Sequence, residues 1–96
     1  MIIQPAVYIM TNKKNGVLYT GVTSNLAKRV YEHKISCLKG FSSKYNCHML
    51  VFYLACPTME SAITEEKRIK AGSRQKKLQL VNDFNPDWID LYEDIC

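Results

Sequence analysis

Two tyrosines, an arginine, a histidine and a glutamate are the side chains of this 96-residue chain that could carry chemistry. Tyr8 and Tyr19 flank a turn, Arg29 and His33 stand four residues apart, and Glu66 lies among apolar residues at helical spacing. A carboxylate can hold a divalent metal, and a guanidinium can neutralise a phosphate. Phenol and imidazole groups can orient or deprotonate water. Together these groups contain what hydrolysis of a phosphodiester requires.

The two tyrosines lie on a predicted β-hairpin. The segments Ala6–Thr11 and Val17–Val22 are rich in β-forming residues, and the loop between them contains Asn15-Gly16, a strong signal for a tight hairpin turn. Side chains alternate between the two faces of a strand. The register of the hairpin therefore decides which residues share a face with the tyrosines.

A register in which paired residue numbers add to an odd total sorts the hairpin into two unlike faces. One face has two phenols beside a glycine and is expected to be open and polar-edged: Tyr8, Met10, Tyr19 and Gly21. The opposite face is apolar and suits a core: Val7, Ile9, Leu18 and Val22. Half-buried cross-strand packing of the two tyrosines is the alternative to a functional role.

Arg29 and His33 lie on one edge of a predicted helix. Ser24 is a suitable N-cap for a helix over residues 25–35. Residues four apart on a helix share a face, so the two side chains should point the same way. The alternatives are a surface ion pair of Arg29 with Glu32 and a hydrogen-bonded core role for His33.

A third strand and a second helix follow. Met49–Ala55 is apolar throughout, which predicts a strand buried between two neighbours at the centre of the sheet. Thr58 is a suitable cap for a helix over Met59–Ala71, which Gly72 should end.

Glu66 interrupts the apolar face of this second helix. On a helical wheel it falls among Met59, Ala62, Ile63 and Ile69. Burying an unpaired carboxylate costs roughly several kcal/mol, so Glu66 must meet a cation, a hydrogen-bond network or solvent. Lys70 or Arg29 could supply that cation within the fold, which is the alternative to a metal.

The remaining chain completes one small domain. A third helix is predicted over residues 74–82 behind a Ser73 cap. We expect an α+β fold of order ββαβαα, with a small three-stranded mixed or antiparallel sheet flanked by helices. Because 96 residues suffice for a single core, one domain should span residues 1–96. Its core should cover about residues 5–82, with the acidic segment 83–96 docked on it.

Charge is unevenly distributed along the chain, although the net charge is only +4. Residues 1–82 hold all 13 Lys and Arg residues against four acids, whereas residues 83–96 hold five acids and no base. A strongly basic body attracts polyanions, so nucleic acid is the first partner to consider. A solvated basic surface without a partner is the alternative.

The sequence does not favour a membrane or secreted protein. The longest uninterrupted apolar stretch, Met49–Cys56, is far shorter than the roughly 20 residues that cross a bilayer. The first residues lack the basic and apolar regions of a signal peptide. We therefore expect no membrane partner, a cytoplasmic location and free thiols at Cys37, Cys47, Cys56 and Cys96.

Several segments carry a family resemblance. Ala6–Tyr8, Tyr19–Gly21 and Asn25–Arg29, followed by the helix segment Ala62–Lys70, resemble the GIY-YIG nuclease superfamily. The ending through Asn85–Trp88 is similar to that of its small stand-alone bacterial members. The resemblance implies a three-stranded sheet flanked by helices and a one-metal cut in a nucleic acid backbone, with DNA favoured over RNA.

The resemblance also assigns roles. Tyr8 and Tyr19 match the motif tyrosines that orient or activate the attacking water, and Arg29 matches the arginine that contacts the scissile phosphate. His33 matches a position that assists proton transfer. Glu66 matches the protein ligand of a single Mg²⁺ or Mn²⁺ ion, whose remaining ligands would be waters and phosphate oxygens.

Two hypotheses about function follow. The first is a metal-dependent endonuclease or nickase of weak activity. The second is a nucleic-acid-binding module on the same fold that cuts poorly or not at all and works through an unidentified protein partner. In both, the protein is a monomer or weak dimer, and four lysines supply generic phosphate contacts: Lys28, Lys34, Lys67 and Lys70.

Overall fold

The computed structural model describes residues 4–38 and 47–96. These residues form an α+β fold in the predicted order ββαβαα, followed by one further short helix. The elements are β1 (Ala6–Thr11), β2 (Leu18–Thr23), α1 (Leu26–Leu38), β3 (Met49–Ala55), α2 (Met59–Ala71), α3 (Arg74–Phe84) and α4 (Tyr92–Ile95).

The strands form an antiparallel sheet in the order β2-β1-β3. The predicted odd register is confirmed, because Tyr8 pairs with Gly21 and Met10 pairs with Tyr19. The prediction that Met49–Ala55 is the central strand is wrong, since β1 is central and β3 is an edge strand. The middle of β3 is nevertheless buried, because α3 and the C-terminal segment pack against it, whereas Leu54 near its end is 41% exposed.

Each face of the sheet has its own apolar core. Residues of odd number in β1 pack with α2, α3 and the C-terminal segment; this core includes Val7, Ile9, Ala62, Ile69, Val81 and Trp88. Residues of even number in β1 pack with α1 and the end of the chain; this core includes Tyr8, Met10, Val30, Leu50 and Leu91. Because both cores depend on β1, all six residues of this strand are buried.

The helix ends follow their capping residues closely. Thr58 forms a capping box with Ser61 at the start of α2, and Ser73 accepts a hydrogen bond from the Lys76 N–H at the start of α3. At α1 the predicted cap is wrong by one residue. Asn25 is the cap, because its Oδ1 accepts from the Lys28 N–H at 3.2 Å. The strand-to-helix bend therefore ends one residue later than predicted.

The C-terminal segment docks at an irregularity in β3. The register of β3 against β1 shifts so that Val51 is an extra residue. The Asn85 Nδ2 donates to the Val51 carbonyl at 3.3 Å and to the Ile89 carbonyl at 2.8 Å. The Leu91 N–H donates to the Leu50 carbonyl at 2.8 Å. Asn85 therefore bonds backbone groups of two chain segments.

The described residues also test the predictions about membrane spans and cysteines. Within 4–38 and 47–96, none of the helices combines the length and the apolar character that crossing a bilayer requires. Cys56 and Cys96 are free thiols, as predicted. The Cys47 thiol donates to the Val17 carbonyl at 3.9 Å, and the side chain of Cys37 lies outside the described part of the chain.

Replacing Asn85 with alanine should destabilise the protein strongly. Asn85 is buried, and its loss leaves backbone groups of Val51 and Ile89 without their partner. Each buried group left unsatisfied costs about 1–3 kcal/mol, so urea denaturation should show a loss of at least about 2 kcal/mol in unfolding free energy. The exposed Asp87→Ala on the same segment should change it by less than about 0.5 kcal/mol. Equal effects of the two substitutions would contradict this account.

Candidate active site

Three aromatic rings from three elements meet on the α1 face of the sheet. Tyr8 of β1, Tyr19 of β2 and His33 of α1 are in mutual contact. The ring centroids of Tyr19 and His33 are 5.2 Å apart, and those of Tyr8 and His33 are 5.8 Å apart. Tyr8 is buried, whereas Tyr19 is 43% exposed. Solvent therefore reaches this cluster from the β2 edge of the sheet.

Gly21 makes the room that the Tyr8 ring occupies. The two residues are paired across the β1–β2 ladder. A Cβ at position 21 would lie 2.5 Å from both Cζ and Oη of Tyr8, which no packed structure tolerates. The surface expected to be open beside this glycine is instead filled by the phenol. The register predicted the pairing, but the direction of the ring follows only from the packing of α1 above it.

The Tyr8 hydroxyl is the point at which the cluster converges. It lies 3.2 Å from Nε2 of His33. Burial raises the pKa of Tyr8 to about 12, and the charge of Tyr19 and a hydrogen bond with it also raise this pKa. Hydrogen bonding and attraction from the Arg29 guanidinium lower it in part. The phenol is therefore protonated at neutral pH.

His33 is a neutral imidazole at neutral pH. Burial lowers its pKa from the ordinary 6.5, the positive charge of Arg29 lowers it further, and Glu32 opposes the shift. A neutral imidazole has one nitrogen that can accept a proton. Of the groups that meet at the Tyr8 hydroxyl, His33 is thus the better proton acceptor near pH 7.

Arg29 lies one helical turn before His33 and reaches towards solvent. Its Nε pairs with Oε1 of Glu32 at 3.3 Å, and the Arg29 side chain is 45% exposed. Exposed ion pairs of this kind contribute only about 0–1 kcal/mol. An anionic ligand can therefore replace Glu32 at the guanidinium with little loss of stability.

Glu66 lies on the opposite face of the sheet, on the helix that contacts β2 and β1. Its side chain is 15% exposed, and its Oε2 pairs with the Lys70 ammonium at 3.1 Å. Met59 and Ile63 are exposed, so the apolar face of α2 is centred on Ala62 and Ile69, with Glu66 at its border. This arrangement differs from the predicted position in the middle of an apolar stripe.

The carboxylate of Glu66 suits a hard divalent cation. Mg²⁺ is commonly held by one or two carboxylates, with waters and substrate phosphates completing the octahedron. No group of three or more His, Cys, Asp or Glu side chains that could hold a metal occurs in residues 4–38 and 47–96. Any ion at Glu66 would therefore draw most of its ligands from water and substrate, and Lys70 would have to move aside.

The four predicted phosphate-binding lysines have different surroundings. Lys28 and Lys67 are exposed, and Lys70 is paired with Glu66. Lys34 is tied into the C-terminal docking instead. Its ammonium donates to the His48 carbonyl at 2.9 Å and pairs with Asp90, so it already has partners within the fold.

Known proteins resemble this chain along most of its length. A family model described as the GIY-YIG catalytic domain matches residues 4–79. A UPF0213 protein of Staphylococcus saprophyticus is 35% identical over 74 residues, which cover 73% of this chain and 85% of that protein. A UPF0213 protein of Desulfotalea psychrophila is 38% identical over 80 residues, with 81% and 72% covered.

A solved structure agrees with the fold. The solution NMR structure of the UPF0213 protein BH0048 from Bacillus halodurans is 32% identical and superposes with a TM-score of 0.55. The match covers 92% of this chain and 93% of that protein. The predicted fold class and family resemblance are therefore confirmed.

Substituting Gly21 with alanine should disturb the cluster directly. The added methyl group meets the buried Tyr8 ring, and overpacking of this kind costs about 1–3 kcal/mol of unfolding free energy. Urea denaturation measures that loss, and the NMR signals of the His33 ring should shift as Tyr8 moves. Gly72→Ala is the matched control, because its nearest contact is 3.3 Å and its φ of −76° is ordinary. A Gly21→Ala protein as stable as Gly72→Ala would contradict the close packing.

The lowered pKa of His33 predicts an acid-sensitive stability. The unfolded chain, with a His pKa of 6.5, binds more protons than the folded state as the pH falls through that value. The unfolding free energy should therefore fall between about pH 7.5 and pH 5.5, and His33→Gln should remove part of this fall. His48→Gln is the control, and its unfolding free energy should still show the part of the fall that His33 causes. An NMR titration that gives His33 a pKa above 6.5 would refute the assignment.

Proposed function

This chain belongs to the GIY-YIG catalytic domain family, and from that premise we propose that it is a metal-dependent endonuclease or nickase. The reaction would be hydrolysis of phosphodiester bonds, in DNA rather than RNA. The observation that carries the proposal is that Tyr19, Arg29 and His33 meet at the hydroxyl group of Tyr8. A guanidinium, a neutral imidazole and an exposed phenol at one point suit the attack of water on a phosphate.

Arg29 and Tyr19 are the groups that a substrate would meet first, because both are more than two-fifths exposed. The guanidinium binds non-bridging phosphate oxygens and releases Glu32 as it does so. The Tyr19 hydroxyl hydrogen-bonds the attacking water or the phosphate. Tyr8, which is buried and protonated, positions His33 and Arg29 from below.

His33 is the proposed proton acceptor. In the tautomer whose Nε2–H donates to the Tyr8 hydroxyl oxygen, Nδ1 carries the lone pair and is the nitrogen that takes the proton of water. As the water oxygen bonds to phosphorus, the P–O bond to the leaving oxygen breaks, and that oxygen takes a proton from solvent. The lowered pKa of His33 keeps the acceptor neutral at pH 7, ready to accept a proton.

Glu66 is the residue that would hold Mg²⁺ or Mn²⁺. A bound divalent ion supplies Lewis acidity towards the phosphate oxygens. Glu66 lies on α2, the helix that contacts the edge strand β2. Lys70 holds the carboxylate through their ion pair and would have to release it for a metal ion to bind.

A binding module without cutting activity is the second candidate. The Glu66–Lys70 ion pair favours it, because a carboxylate with a cationic partner needs no metal. In this case Arg29 and the exposed lysines would bind a nucleic acid backbone, and a protein partner would supply any chemistry.

Plasmid nicking by the purified protein with Mg²⁺ or Mn²⁺ tests the first proposal. Glu66→Gln should reduce the nicking rate by about 100-fold or more because it removes the proposed metal ligand, and Arg29→Ala should do so because it removes the guanidinium that would bind the phosphate. Glu65→Gln is the matched control. It lies one residue away, pairs with Arg68, and should leave the rate unchanged.

The outcomes separate the two candidates. Nicking that persists in both Glu66→Gln and Arg29→Ala belongs to a contaminant and refutes the assignment. Duplex binding without metal-dependent nicking by the wild-type protein favours the binding module.

A further inference from the structure

A second concentration of positive charge lies where α2 meets α3. Residues 67–77 contain the last turn of α2, a two-residue connection and the first turn of α3. This segment has six cations and no acid: Lys67, Arg68, Lys70, Arg74, Lys76 and Lys77. Five of these side chains are exposed and Lys77 is half-buried. The segment therefore presents most of its charge to solvent.

Arg74 joins this segment to the β1–β2 turn. Its Nη2 donates to the carbonyls of Asn15 and Gly16, each at 2.8 Å. The same turn carries Lys13 and Lys14, both exposed. Two segments about 60 residues apart in sequence thus form one surface. We call it the basic corner: Lys13, Lys14, Lys67, Arg68, Lys70, Arg74, Lys76 and Lys77.

The basic corner dominates the charge distribution of the protein. Glu65 and Glu66 pair with Arg68 and Lys70, which leaves six of the eight positive charges uncompensated. The whole chain has a net charge of +4, so the rest of the molecule has a net charge of −2. A polyanion that approaches the protein is therefore drawn to this corner before any other surface.

The corner also has a concave part. A cleft of about 330 Å³ lies between α2 and α3, with Arg68, Lys76 and Lys77 among its lining residues. Asp83 also lines it and is its acidic group. Three cations against one acid give the cleft a net positive charge, which suits phosphate groups better than a neutral or cationic ligand.

The position of the corner connects it with the aromatic cluster. Leu18 pairs with Thr11 at the turn end of the hairpin, and Tyr19 is the next residue of β2. Lys13 and Lys14 are therefore at the same end of the hairpin as the exposed Tyr19 ring. A nucleic acid strand that leaves Tyr19 towards the turn passes these two lysines and then α3.

We propose that the basic corner binds the phosphodiester backbone of a nucleic acid at a distance from the bond that is cut. The inference rests on the proposed function for the choice of nucleic acid as the polyanion. Flexible exposed lysines contact phosphates without reading bases, so the corner contributes affinity and orientation rather than sequence specificity. Arg74 acts as a positioning residue, since it holds the lysine-bearing turn against α3.

Binding without cutting tests the basic corner independently. Fluorescence anisotropy in EDTA measures the affinity for a labelled DNA duplex, and for the matching RNA duplex, between about 50 and 200 mM salt. In Lys14→Gln/Lys76→Gln, the slope of log affinity against log salt should fall in magnitude by about 2, since each phosphate contact contributes about 0.9. The double variant should keep its cutting rate at saturating duplex and show a higher KM.

The control lowers the net charge by the same two units elsewhere. Met59→Glu/Ile89→Glu changes two exposed apolar residues, at the far end of α2 and on the C-terminal segment. Its salt slope should equal that of the wild type. Equal slopes for the wild type and Lys14→Gln/Lys76→Gln would overturn the proposal, as would polyglutamate binding as tightly as the duplex.

Failure of the corner and failure of the enzymatic proposal are distinguishable. If the wild-type protein nicks DNA but Lys14→Gln/Lys76→Gln has the same salt slope as the wild type, the proposal of the basic corner fails and the enzymatic proposal stands. If the wild-type protein never nicks DNA but the salt slope falls in Lys14→Gln/Lys76→Gln, the basic corner stands as a binding surface and the enzymatic proposal fails.

Discussion

The contact between the Tyr8 ring and Gly21 is the constraint on which the candidate site depends. Tyr8 lies in the central strand, with strands on both sides and α1 above it, so its ring can occupy only the space beside a neighbouring residue without a side chain. The absence of a side chain at Gly21 provides that place. Because the ring cannot move, its hydroxyl becomes a fixed point on the sheet. His33 of α1 and Tyr19 of β2 are placed relative to that point.

Burial of this phenol also sets the protonation of the cluster. A desolvated phenol holds its proton, and a partly buried imidazole beside Arg29 releases its own. The same guanidinium pulls both pKa values down. At Tyr8 burial opposes this effect and exceeds it, whereas at His33 burial is the larger cause and acts in the same direction. The cluster therefore holds a neutral phenol and a neutral imidazole at neutral pH without any buried charge, which is the least costly way to place polar groups beneath a helix.

Beyond the exposed Arg29–Glu32 pair beside this cluster, charge concentrates in two other regions. The cations concentrate at the corner of α2, α3 and the hairpin turn, and the acids concentrate in the C-terminal segment. That segment packs against β3 through Asn85 and through Asp90, which accepts from the Leu50 N–H, and it is tied to α1 by the Asp90–Lys34 pair. It thus covers an edge strand and keeps its negative charge on the side of the sheet opposite to β2. A polyanion can approach the β2 edge without meeting this acidic region.

The sequence by itself determined the order of elements, the hairpin register and the ends of α2, because turn, cap and alternation signals are local. It also singled out the tyrosines and Arg29 from residue type and family resemblance. Only the tertiary structure decided that β1 is the central strand and that the Tyr8 ring fills the space beside Gly21. It alone brought the lysines of the turn against α3. Strand order and ring direction depend on packing between segments distant in sequence, which no local pattern records.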